Sequence, residues 1–176
     1  MNSEIDTEEE FDDIYHQFFP VLIKIVYRIT GSVSVSEDLC QEAFIRYYER
    51  RDKLPGGDQA KFWLIRVVKN LAYNHEKRKG RERLAYEKFY HEPKKVETNE
   101  GERIILEDES KKAVQEALLK IPYKLRMVLI LKEYGELDYK DIAASLKISE
   151  GNVKVRVFRA RKLLSEYLEK GEVYVP

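Results

Sequence analysis

Residues 138–146, Asp138-Tyr139-Lys140-Asp141-Ile142-Ala143-Ala144-Ser145-Leu146, are followed by Lys147-Ile148-Ser149-Glu150. Gly151-Asn152-Val153-Lys154-Val155-Arg156-Val157-Phe158-Arg159-Ala160-Arg161 comes next. Ile142, Ala143 and Leu146 give the first stretch one apolar face, so it reads as a short helix. Val153, Val157, Ala160 and Leu164 stand three or four apart and form the inward stripe of a longer one. Ser149 is placed to cap that longer helix, and the turn between the two is three to four residues. The pattern is a helix-turn-helix. It leaves Asn152, Lys154, Val155, Arg156, Phe158, Arg159 and Arg161 on outer faces. Four of these seven are cationic. In such a motif the front of the second helix enters the major groove, where Arg pairs bidentately with guanine and an apolar group touches a thymine methyl. A purely structural helix has no use for Phe158 exposed among arginines.

Working back from this motif, Leu125, Val128, Leu129 and Leu131 mark a helix ending near Gly135. Val114, Ala117, Leu118 and Ile121 mark another, stopped at Pro122. Residues 81–109 lose periodicity and carry Pro93, Gly101 and mixed charge, so they read as a flexible linker. Upstream of it, Phe11, Ile14, Tyr15, Phe18, Leu22, Ile25, Val26 and Ile29 trace an amphipathic helix ending near Thr30-Gly31, with a kink or break expected at Pro20. Ser34 or Ser36 is expected to cap a second helix running to about Arg51. Leu54-Pro55-Gly56-Gly57-Asp58 is turn chemistry. A third helix is expected from about Gln59 to Arg78, apolar nearly all round at Phe62-Trp63-Leu64-Ile65 and basic in its second half. No segment alternates at period two. The fold class is all-α: two small helical bundles, 1–80 and 110–170, joined by the linker and followed by a tail at 171–176.

The 176 residues carry 32 Lys plus Arg and 32 Asp plus Glu, a net charge of zero that by itself gives no sign of a nucleic-acid partner. The charges are segregated, however. Residues 1–60 hold 6 basic and 13 acidic side chains, and 61–95 hold 11 basic and 4 acidic. Phosphate attraction follows such local fields rather than the total. The lone Cys40 excludes an internal disulfide and reads as a small buried hydrophobe in a reducing cytoplasm. The acidic N-terminus lacks the pattern of a secretory signal, and no apolar run approaches membrane-span length, so no direct membrane insertion is expected. His16, His75 and His91 lie in unrelated segments, and there is no Gly-rich phosphate loop or metal-site spacing of acids. An enzyme is therefore not expected, and no cofactor or metal is implied.

The first basic patch differs in kind from the second. Trp63, Asn70, Tyr73, Asn74, His75, Lys77 and Arg78 mix aromatics, amides and cations on one helix, which suits unstacked bases better than a duplex groove. On their own, Trp63 and Tyr73 also fit core positions.

Several stretches together resemble the bacterial sigma factors of the extracytoplasmic-function type, within the sigma-70 family. Ser36-Glu37-Asp38-Leu39-Cys40-Gln41-Glu42-Ala43-Phe44 is similar to that family's acidic signature. Lys61-Phe62-Trp63-Leu64-Ile65-Arg66, with Asn70-Leu71-Ala72, is similar to its Phe-x-x-Trp-Leu-x-Arg stretch. Ile121-Pro122 with Arg126, Tyr139 to Ala143, and Ile148 to Lys154 with Arg156, Arg159, Ala160 and Arg161 complete the resemblance, in order over about residues 10–168. It departs at Lys147, where the family usually has Gly, and at Asn152 and Val155, where Thr and Ser are common.

The resemblance implies that the first module binds core RNA polymerase and melts the −10 promoter element, while the second reads the −35 element as duplex. Asp38, Gln41 and Glu42 would face the clamp helices of the largest polymerase subunit, and the flap of the second largest would be a further contact. The Leu54 to Ala60 loop and Asn70 would capture a flipped base, with Lys61, Asn74, Lys77 and Arg78 near the backbone. Lys154, Val155, Phe158 and Arg159 would contact the −35 element's bases or sugar, and Arg156 and Arg161 its phosphates. An anti-sigma inhibitor is an implied partner. The alternative is a stand-alone helix-turn-helix regulator with an N-terminal dimerisation bundle.

Overall fold

The structure is a computed structural model that describes residues 2–90 and 109–170. The apolar repeat near the N-terminus forms one face of α1 (Asn2–Thr30), with Ile14, Phe18, Leu22, Ile25, Val26 and Ile29 buried. Pro20 does not break this helix. Its ring lies on the exposed side, where the carbonyl it leaves unbonded faces solvent rather than the core. Gly31 ends the helix at φ +71°, a left-handed conformation that glycine adopts without penalty.

The cap of α2 (Val33–Tyr48) is Ser32, whose Oγ accepts from the Val35 N–H at 3.4 Å. The expected caps lie further along: Ser34 is already inside the helix, and Ser36 is buried with its Oγ donating to the Ser32 carbonyl at 2.6 Å. After a single 3-10 turn, Arg51–Lys53, comes α3 (Gly57–Tyr90). Residues 81–90, expected to lie in the linker, continue this helix, and at 1.5 Å per residue α3 is about 50 Å long. The i,i+4 pair Arg83–Glu87 (3.7 Å) supports the extension, which the search for apolar periodicity could not detect. The rest of the expected linker, 91–108, and the tail lie outside the described residues.

Helices α1, α2 and α3 enclose Cys40, Ala43, Phe44, Tyr47, Leu64, Ile65 and Val68. Fully burying one side chain such as Leu64 contributes about 2 kcal/mol. The remaining elements are α4 (Glu109–Lys120), α5 (Tyr123–Glu133), α6 (Tyr139–Leu146) and α7 (Glu150–Lys170). α6 and α7 stand where the helix-turn-helix pattern puts them. Asp138 caps α6 by accepting from the Asp141 N–H at 2.7 Å, and Ser149 Oγ accepts from the Asn152 N–H at 3.2 Å. Val153, Val157 and Ala160 face inward, against α5 and α6.

The two bundles pack on one another. α1 touches α4 and α5, and the core of the first module runs continuously into Met127, Val128, Ile130 and Leu131 of α5.

Candidate nucleic-acid interface

α7 leaves most of its expected outer-face residues open to solvent. Lys154, Val155, Phe158 and Arg159 are exposed, with Phe158 at 72% and Val155 at 48%. Burying the Val153–Val157–Ala160 stripe forces the residues between outward, because a helix turns 100° per residue. Arg156 is half-buried and donates through Nε to Asn152 Oδ1 at 2.9 Å, which holds it along the helix. Arg161 donates to Glu133 on α5 at 2.5 Å, and that bond raises its pKa. It is tied to its own module, unlike Arg159.

On α3, Asn70, Asn74, Lys77 and Arg78 are exposed and lie on one side of the helix. Lys61 does not join them. It precedes Asn70 by nine residues, two and a half turns, and so points to the opposite side, half-buried beside α6. There its charge opposes the rise in the Asp141 pKa caused by lost solvent and by Asp138. Arg66 is exposed one turn before Asn70 and belongs to the same face. Its i,i+4 spacing from Asn70 was the available signal. Trp63 is half-buried, edge-on to Tyr47 at 5.7 Å, and Tyr73 packs against Tyr123 of the second module at 5.4 Å. Trp63 is thus committed to packing, whereas Tyr73 keeps 46% of its surface exposed.

The loop after the 3-10 turn is pinned by the Tyr47 hydroxyl, which donates to the Pro55 carbonyl at 2.9 Å. Beside it is a pocket of about 180 Å³ lined in part by Phe11, Ile14, Tyr47 and Leu54. The Glu10 carboxylate rests against Gly56, so close that a Cβ there would lie 2.1 Å from its oxygen. A side chain at position 56 would displace Glu10 from the loop.

α2 carries the acidic face. Asp38 and Gln41 are exposed, and Glu42 pairs with Arg46 one turn on. Ile45, 58% exposed, lies one turn beyond Gln41 on the same side, with Tyr48 following. The charge-centred reading passed over this apolar centre, although its i,i+4 position was visible.

A bundle with an acidic face and a basic helix, joined to a helix-turn-helix whose second helix is cationic, defines a two-module DNA-binding protein. Residues 14–82 match the family model described as sigma-70 region 2, and residues 111–164 match sigma-70, region 4. The chain is 30% identical to the ECF RNA polymerase sigma factor SigW of Bacillus subtilis, over 92% of this chain and 90% of that one. It is 29% identical to the RNA polymerase sigma-H factor of Pseudomonas aeruginosa, covering 90% and 86%. Against the ECF RNA polymerase sigma-E factor of Escherichia coli K12 the identity is 30%, covering 75% and 73%. The chain belongs to the sigma-70 family of RNA polymerase sigma factors, and within it to the extracytoplasmic-function type. The fold is shared with the sigma factor RpoE of Bartonella quintana, solved with the anti-sigma factor NepR, at TM-score 0.70 and 24% identity over 92% of this chain and 98% of that one. It is also shared with CnrH, solved with the cytosolic domain of CnrY, at TM-score 0.65 and 20% identity over 91% and 88%. The region 2 match does not favour the reading of the N-terminal bundle as a dimerisation module.

Proposed function

We propose that this chain directs core RNA polymerase to promoters of one sequence class, acting as a non-enzymatic initiation factor in the cytoplasm. The carrying observation is the exposure of Val155 and Phe158 between Lys154 and Arg159 on α7, an arrangement that offers thymine-methyl contacts and guanine pairing side by side. In this reading α7 reads the −35 element as duplex, with Arg156 and Arg161 near phosphates. Asn70, Asn74, Lys77 and Arg78 hold the melted −10 strand, Arg66 joins them, and Lys61 contributes once the modules separate. Capture of an extruded base by the 54–60 loop offsets the few kcal/mol of unstacking, so melting needs no nucleotide hydrolysis.

Asp38, Gln41 and Glu42 on α2 face the clamp helices of the largest polymerase subunit, and the second module contacts the flap of the second largest. An anti-sigma factor is the natural inhibitor, by analogy with the Bartonella quintana sigma factor solved with the anti-sigma factor NepR. The functional units are residues 1–80 and 110–170. No described helix is long and apolar enough to cross a membrane.

The test is selection from a random promoter library with reconstituted holoenzyme. Enrichment of a bipartite sequence that depends on Arg159 at its upstream half supports the reading; no promoter-specific transcript overturns it.

A further inference from the structure

The exposed stripe of α3 that begins at Arg66 does not stop at Lys77. Arg66, Asn70, Asn74 and Lys77 follow one another at steps of four, four and three residues, and Arg81, Leu84 and Lys88 continue the series at four, three and four. Steps averaging close to one turn keep all of them on one side of the helix, and every one is exposed. The acids of α3, Asp58, Glu76, Glu82 and Glu87, lie about 100° or more round the helix from the centre of that stripe. Glu82 and Glu87 are engaged by Arg78 at 3.8 Å and Arg83 at 3.7 Å. No acid stands three or four residues from Lys77 or Arg81. These two cations are instead one turn from each other, a like-charge spacing that destabilises a free helix. A helix face that only meets water is better served by alternating signs.

The last turns of α3 also rest on no core. From Lys77 to Phe89 no residue is buried, and Leu84 and Phe89 are 61% and 80% exposed. A helical segment of this length is marginal in water on its own, and Gly80 weakens it further. A partner that neutralises Lys77, Arg81 and Lys88 together would hold it. A run of backbone phosphates fits that charge pattern, and Leu84, between two cations, is placed to meet sugar carbons.

We propose that Arg81, Leu84 and Lys88 form a second binding surface on α3, which grips the backbone of the duplex immediately upstream of the −10 element. The inference rests on the proposed function. There the chain runs on from Tyr90 to the module that reads the −35 element, so the C-terminal end of α3 lies upstream of the strand held at Asn70 and Asn74. Lys88 stands about 21 Å beyond Asn74 along the helix, the rise of about six base pairs. The region 2 match ends at residue 82, so Leu84 and Lys88 lie outside it. This surface makes the promoter spacer a source of affinity independent of its sequence, since phosphate contacts position a protein without reading bases.

The test uses holoenzyme reconstituted with the full chain carrying both Arg81→Gln and Lys88→Gln. The charge-conserving pair Arg81→Lys and Lys88→Arg is the control. All four substitutions place good helix formers at exposed positions, so folding is retained. Binding is titrated over a range of salt on two DNAs: the selected promoter as duplex, and a fork with the same melted −10 strand but no duplex upstream of it. On the full promoter the Gln variant should show a salt slope smaller by about 2 and an affinity about fivefold lower or worse, with unchanged base preference and no loss in the control. On the fork, variant and wild type should bind alike. Equal slopes on the full promoter overturn the inference. So does a deficit that persists on the fork, which assigns the two cations to the melted strand. Weaker binding of the Gln variant to core polymerase without DNA overturns it as well, since the surface then belongs to a protein contact. Failure of the wild-type holoenzyme to bind any promoter would overturn the proposed function instead.

Discussion

The Arg126 guanidinium binds two elements at once: it donates through Nη1 to the Leu119 carbonyl near the end of α4 at 3.0 Å and lies 3.6 Å from Glu76 on α3. The first contact is internal to the second module, and the second crosses between modules. Burial lowers the Arg126 pKa while Glu76 opposes that shift. Replacing Arg126 with Ala therefore removes a carbonyl partner and an ion-pair partner, with an expected cost of about 2 to 3 kcal/mol. Glu76→Ala should cost less, because Arg126 can regain water when the modules part. Urea denaturation of both single variants and the double variant checks the ranking and the coupling.

Lys147 ends α6 at φ 55°, ψ 48°, a left-handed conformation that strains a residue with a Cβ. Lys147→Gly should stabilise the chain by about 1 kcal/mol. A rise in the denaturation midpoint at unchanged slope is the expected observation.

Ile45 is exposed on the side of α2 that carries Asp38 and Gln41. An apolar anchor ringed by polar groups is the usual composition of an interface centre. Ile45→Asp should weaken core polymerase binding at least tenfold and leave thermal stability within about 0.5 kcal/mol, since the side chain supports no core contact. Binding titrations and melting curves on the same preparations separate the two effects.

Arg159→Ala should weaken binding to the selected upstream element by about 1 to 3 kcal/mol and relax preference at one base pair. Arg156→Ala, placed near a phosphate, should weaken all sequences alike and reduce the salt slope by about 1. Anisotropy titrations at several salt concentrations, using holoenzyme and matched DNA variants, distinguish the two.

Burial pushes the Cys40 thiol up to about 12 from an ordinary 9.0. The native state then retains a proton that the unfolded chain releases. The stabilisation is complete below about pH 9 and is lost as pH rises toward 12. Cys40→Ala should show a shallower loss of stability over that window. The wild-type thiol should resist alkylation at pH 8 until denaturant is added.

Much of the local structure was legible in the sequence because its causes lie within a few residues of one another. The α6–turn–α7 boundaries, the Ser149 cap, the inward Val153, Val157 and Ala160, and the outward Phe158 all follow from three- and four-residue spacing. The family's usual glycine at position 147 pointed to the left-handed turn. Local causes also misled where two candidates competed: three nearby serines could cap α2, and packing buried Ser36 and left Ser32 at the boundary. The helical run of 81–90 was missed because its regularity lies in charge pairs rather than in an apolar stripe.

Which faces of those helices meet is a different matter. The family resemblance grouped Lys61 with Asn70, yet they lie on opposite sides of α3, one beside α6 and one exposed. Tyr73 read as either a core residue or a stacking platform, and the fold makes it a contact for Tyr123. The sequence by itself determined the helices, the helix-turn-helix and the chemistry of the exposed residues, since each depends on neighbours within one or two turns. Only the tertiary structure decided that Glu76 meets Arg126, and that Arg28 donates to Gln115 across 87 residues at 2.9 Å. Such contacts are selected by the packing of whole faces, and no local spacing encodes which distant face will be opposite.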